Sequence, residues 1–207
     1  MKNCLQYMLV LLIGSAFGCK SVSKYTIDSK PLIKIDTGLL GIWKAKEDTD
    51  VSNYILVQNN YDVKHNLEEY KFGTYGIYDN CYYITYFNTH GKNPRYLQFN
   101  SFLSEVRKNK FLNVSYEYVP YRNDHFFRNE EVKGYFFVRL INVNASYDAM
   151  TIAIIADTTL KYLKNSKEVR TRITNNINKS TFYSDTLHFH KVSSYHLSLR
   201  ESVNKAN

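Results

Sequence analysis

Two histidines, His188 and His190, stand two positions apart in the run DTLHFHKV. On a strand that spacing puts both imidazoles on one face, as in a two-histidine zinc chelate. A third ligand is required, and His65, His90, His125 and His196 stand at no diagnostic spacing from the pair. Neither a His-Glu-X-X-His motif nor a cysteine pair occurs, so no metal is assigned and the run is read as an ordinary strand. Nucleophilic chemistry is no better supported. A Gly-X-Ser-X-Gly elbow and a phosphate-binding glycine loop are both missing from a sequence with 8 glycines. Cys81, in NCYYITYF, has no nameable His or acid partner and reads as a packed apolar strand residue. Carboxylate pairs occur at Glu47 with Asp48, Glu68 with Glu69, and Glu130 with Glu131, all in loops or at strand ends. Nothing in the sequence sets any two of them across a cleft as glycoside hydrolysis needs. The expectation is a protein that is not an enzyme and uses no cofactor.

What the sequence offers instead is aromatic surface. There are 19 Tyr and 12 Phe, residues that favour half-buried pleated surfaces and also suit contact with apolar ligands. Trp43, Tyr54, Tyr83, Tyr116, Phe136 and Phe137 are the candidate ligand-binding residues. The formal charge of +8 is scattered, apart from Lys161, Lys164, Lys167, Arg170 and Arg172, and no RNA-binding aromatic box accompanies it. Nucleic acid is therefore not expected as a partner, whereas anionic lipid headgroups suit a basic face.

The elements that must position these residues are mostly strands. Gly41 to Ala45 and Ser52 to Gln58 predict a first hairpin, and Cys81 to Phe87 a further strand. Residues 59–80 give no clear pattern. Tyr96, Phe99, Leu103 and Val106 recur every three or four positions, which predicts a short amphipathic helix from Arg95 to Arg107. Lys110 to Tyr118 alternates as a strand, with Leu112, Val114, Tyr116 and Tyr118 on one face. Lys133 to Val143 and Met150 to Asp157 should pair around NASYD. Ser166 caps a second helix carrying Val169, Ile173 and Ile177, and Asp185 to Val192 is the last strand. The expected fold is mostly β: an antiparallel barrel of about seven or eight strands with two short helices.

Residues 1–18 combine Lys2, an apolar run from Met8 to Ile13 and small residues before a cysteine, the pattern of an export signal. The apolar run is well short of the roughly 18 residues a permanent spanning helix needs. Ala16-Phe17-Gly18-Cys19 resembles the bacterial lipobox, which implies a diacylglycerol on Cys19 and a membrane held through it. Lys20 follows, where inner-membrane retention in enteric bacteria is associated with Asp, and residues 20–24 hold no acidic run. By resemblance this points to an outer-membrane lipoprotein facing the periplasm. Residues 19–38 read as the lipidated cysteine and a tether, 39–192 as the β domain, and 193–207 as a polar tail.

Gly41-Ile42-Trp43 at the start of the strand series is similar to the Gly-X-Trp that opens lipocalin barrels. With the later strands it makes the chain resemble uncharacterised bacterial lipocalin-like lipoproteins. The resemblance implies a barrel lined by apolar side chains that holds a small apolar or amphipathic ligand. A component of an envelope protein assembly, using exposed Tyr and the basic helix, is the alternative. Asp157-Thr158-Thr159 and Asp185-Thr186-Leu187 also resemble O-glycosylation sites of exported proteins, with Asp and Thr at strand ends as the structural alternative.

Overall fold

The computed structural model of the protein describes residues 22–46, 53–59, 80–88, 96–116 and 134–193. The expected signal segment, Cys19, residues 60–79 and the tail from 194 lie outside them. Eight strands run in sequence order: β1 (Gly41–Ala45), β2 (Asn53–Asn59), β3 (Cys81–Asn88), β4 (Tyr96–Val106), β5 (Asn109–Tyr116), β6 (Tyr135–Val143), β7 (Ala149–Ile155) and β8 (Tyr183–Ser193). Each is antiparallel to its neighbours, and β1 pairs with β8, so the sheet closes as a barrel and leaves no free edge. The expected fold class is the one observed.

Alternation decides which side chains face in. Ile55 and Val57 of β2, Ile84 of β3, Leu112 and Val114 of β5, and Val138 and Leu140 of β6 belong to the interior cluster. A second cluster lies outside the barrel wall. It joins the outward Phe111, Phe137 and Ile155 to Val169, Ile173 and Ile177 of the helix α1 (Ser166–Asn176) and its exit, and to Leu160 and Phe182. Asn165 is the N-cap of α1, its side chain accepting from the Glu168 amide at 2.9 Å, so Ser166 is the first helical residue and not the cap. Glu168 returns a carboxylate oxygen to the Lys164 amide at 2.9 Å.

The helix expected over Arg95 to Arg107 is strand β4, and α1 is the only α-helix among the described residues. Period-two alternation is masked there because both faces of the strand are covered. Phe99, Ser101 and Leu103 are buried on the inward face, Ser104 and Val106 on the outward face. The tight turn to β5 puts Arg107 and Lys108 at φ of 48° and 64°, the twist that two-residue hairpins favour.

The segment expected as a tether is packed from Val22 onward. Ser23 exchanges two backbone hydrogen bonds with Tyr135 at the start of β6, at 2.8 and 2.7 Å. Ile27 is buried, and its amide donates to Asn113 Oδ1 at 2.8 Å. The chain then reaches the other end of the barrel, where Asp36 pairs with Lys110 at 2.9 Å and its amide donates to the Tyr82 hydroxyl at 2.7 Å. Ile27, Ile33, Ile35 and Leu39 achieve this, apolar residues interrupted by Asp, Ser, Lys and Pro at spacings that set no single period. A 3-10 turn, Thr37–Leu39, lies under Trp43 and closes this end, which also carries the Arg107–Lys108 and Asn144–Asp148 turns. The Trp43 indole N–H donates to the Leu39 carbonyl at 2.9 Å, and Lys191 Nζ lies 4.8 Å from the indole ring centre. Gly41 adopts φ 133°, and a Cβ there would come within 2.4 Å of the Ser193 carbonyl, so only glycine fits where β1 meets the end of β8.

Candidate functional site

Inside the barrel the side chains do not meet, and a cavity of about 140 Å³ remains. Its wall is aliphatic and aromatic: Ile55, Ile84, Leu97, Leu112, Val138 and Ile152 are representative, from six different strands. Leu39 lies at the closed end. Ala45, Asn53, Tyr86, Leu97 and Ile154 line it towards the opposite end, which we term the mouth. Two of the tyrosine hydroxyls at the wall are hydrogen-bonded. Tyr86 donates its hydroxyl to Asn53 Oδ1 at 2.8 Å, and Tyr82 accepts from Asp36. Burial pushes the Tyr82 phenol far above its ordinary pKa, so it stays neutral at any physiological pH. Ser101 faces inward between its register partners Tyr82 and Val114, and its buried hydroxyl has no hydrogen-bond partner among the described residues.

The six residues named from sequence scatter over this architecture. Phe136 lines the cavity and packs edge-on against Phe99, ring centres 5.9 Å apart. Trp43 is fully buried in the interior cluster but acts as the floor beneath the cavity and not as part of its wall. Tyr54 is on the outward face of β2, stacked on Phe87 at 5.2 Å, with Lys44 Nζ 5.9 Å from its ring. Tyr83 is buried, on the face of β3 opposite Tyr82 and Ile84. Phe137 is fully buried in the outer cluster beneath α1. Tyr116 is placed as the register partner of Phe99 at the end of β5, and its side chain lies outside what is described. Residue size drew attention to the aromatics, whereas the wall is built mainly from Ile, Leu and Val. Period-two placement carries that signal in SNYILVQ, where Ile55 and Val57 line the cavity and Tyr54 and Leu56 do not.

Other candidates are also placed. His188 and His190 share the exposed face of β8, with His188 Nδ1 3.0 Å from Thr151 Oγ1, and no group of three potential metal ligands converges among the described residues. Cys81 is buried in β3. Asp157 caps the 3-10 turn Thr158–Tyr162, accepting from the Thr159 amide at 2.9 Å. Burial works against its carboxylate, but Arg172 Nε at 2.6 Å and the Thr159 donors outweigh it and hold the pKa below the ordinary value. Thr158 and Thr186 are both exposed. Within the basic cluster Arg170 is paired with Asp28 and Arg172 with Asp157, while Lys161, Lys164 and Lys167 are exposed. Arg139 on the outer wall donates to the Ile177 carbonyl at 2.9 Å, compensating the C-terminal end of α1.

An arrangement of this kind can exclude water and hold an apolar group. No family model, no curated protein and no solved structure matches the chain.

Proposed function

We propose that this is a lipid-anchored binding module of the bacterial outer membrane, facing the periplasm, whose barrel holds a small apolar or amphipathic ligand without catalysis. The observation that carries this reading is the unfilled apolar interior. Small barrels are commonly filled by their own side chains, yet here about 140 Å³ is left between walls of Ile, Leu, Val and Phe. That is close to the roughly 150 Å³ apolar void known to stay dry and take up a benzene-sized guest. The scale limits the ligand. A slender chain end of about that size fits, and a bulky polycyclic molecule does not. The lipid on Cys19 is the reading that the lipobox resemblance supports, and it accounts for membrane association without a spanning helix.

Native mass spectrometry of the protein extracted from its host tests both parts. The mass should show the lipid on Cys19 and a second, non-covalent apolar adduct. Ile152→Phe, which projects an added ring volume into the cavity, should abolish the adduct while the protein stays folded. An adduct that persists in that variant would place the ligand elsewhere and overturn the reading.

A further inference from the structure

Asn53 is a polar residue set among the inward positions of β2. It shares the parity of Ile55 and Val57, is 7% exposed and lines the cavity with them. Tyr86, the register partner of Ile55 on β3, stands diagonally across from it and donates its hydroxyl to Asn53 Oδ1 at 2.8 Å. That bond orients the carboxamide and engages its acceptor. The two N–H donors on Nδ2 meet no acceptor among the described residues. A buried amide donor without a partner has lost its water uncompensated, a cost that an oxygen of a bound molecule removes. The Ser101 hydroxyl is unpaired as well, but Ser101 is not part of the cavity lining, so Asn53 is the donor that a guest meets.

The rest of the lining limits the character of such a guest. Among the described residues that border the cavity there is no Lys, Arg, Asp or Glu, and His188 holds its ring on the outer face against Thr151. Lys191 is engaged at the closed end, where it donates to the Gly38 carbonyl at 2.7 Å. An ionised carboxylate or ammonium among these side chains would give up its hydration with no opposite charge to replace it. A neutral oxygen needs only a donor, and Asn53 supplies one.

We propose that Asn53 is the polar anchor of the barrel's ligand, and that this ligand is an uncharged short-chain molecule with a carbonyl or hydroxyl oxygen near one end. The oxygen accepts from Asn53 Nδ2, Tyr86 holds the carboxamide in place, and the alkyl part lies among Ile84, Leu112, Val138 and Ile152. A cavity of about 140 Å³ takes an alkyl part of roughly six carbons, the size of the benzene-like guest such a void holds. This rests on the binding-module reading above and adds the chemical class of the ligand and the residue that selects it.

The full lipidated protein is held in lipid nanodiscs in sealed vials, and the loss of hexane or methyl butyl ketone from the headspace is measured against empty nanodiscs. The ketone should bind the parent protein. Asn53→Leu, close in volume, should weaken ketone binding about tenfold, the scale of one well-made hydrogen bond, while hexane binding holds or improves. Tyr86→Phe should weaken the ketone by a smaller factor and also spare hexane, because it frees the carboxamide to turn and leaves the donor in place. Ionised hexanoate should fail to displace the ketone at concentrations where hexanol does so. If both variants bind the two compounds in the parent's ratio, or hexanoate competes as well as hexanol, while Ile152→Phe still abolishes uptake, the polar anchor is overturned and the cavity reading stands. Parent protein that takes up neither compound overturns the cavity reading and this inference with it.

Discussion

Phe136 and Phe137 are adjacent in β6 and chemically identical, yet they serve two different cores. Phe137 is fully buried between the barrel wall and α1, in contact with a set of aliphatic side chains drawn from the helix, the 3-10 turns and the N-terminal segment. Phe136 is half-buried and borders empty space. The outer core is closed on both sides and holds the fold together; the inner one is left underfilled. Stability and ligand capacity are therefore assigned to opposite faces of the same strands, and either can be altered with limited effect on the other.

Truncation provides the largest separation. Phe137→Ala should cost about 3–5 kcal/mol in chemical denaturation, as expected for emptying a close-packed site. Phe136→Ala should cost less than half of that, since its ring already lacks neighbours on one side. Equal losses would mean that the cavity wall is as tightly packed as the outer core, and the contrast would fail. Enlargement should reverse the order. Ala153→Leu, at a position 1% exposed on the outward face of β7, should destabilise by about 1–3 kcal/mol through overpacking. Ile152→Phe, one residue away and facing the cavity, should change stability by less than about 1 kcal/mol.

An electrostatic test follows with a smaller effect. The Asp157 carboxylate joins the turn after β7 to Arg172 of α1, tying the outer layer to the mouth end of the barrel. Its pKa is held below the ordinary value in the folded protein, so its contribution is complete above the ordinary carboxylate pKa and is lost as pH falls through the folded one. Asp157→Asn should cost about 1 kcal/mol at neutral pH, and the difference from the parent protein should shrink and vanish as an acid titration passes below the ordinary carboxylate range. The smallest change belongs to neither core. Tyr54→Ala removes a ring stacked on Phe87 on the outer surface and should cost no more than about 1 kcal/mol, with ligand uptake unchanged.

The barrel was legible in the sequence where β-branched and aromatic residues gather in short runs bounded by turn residues. Ser52 to Gln58, Cys81 to Phe87 and Lys110 to Tyr118 read as strands through their β-branched and aromatic residues, and the observed strands follow within a residue or two although the outward Cys81, Tyr83, Phe111 and Asn113 are buried. The pattern failed at β4. There the outer face is covered, and the apolar residues of two faces merged into a spacing that mimics a helical stripe. It failed again at residues 22–36, where a few isolated apolar side chains and one amide bonded to Asn113 suffice to dock an otherwise polar segment. For the cavity, composition pointed to the aromatics, but lining residues are selected by parity along each strand. Among the five whose side chains are described, Phe136 is the one placed at the wall.

The docked N-terminal segment also determines how the molecule would carry load. Any pull on the N-terminus acts first on the two hydrogen bonds between Ser23 and Tyr135, then on the bond from Ile27 to Asn113 and the Asp28–Arg170 ion pair, and only later on Asp36 and its partners. These bonds meet the force one or two at a time and peel in turn, whereas the strands of the barrel are closed into a ring that the pull does not address directly. The segment acts as a sacrificial leash: it can unzip along the wall, lengthen the connection to whatever holds the N-terminus, and re-form, with the barrel intact throughout.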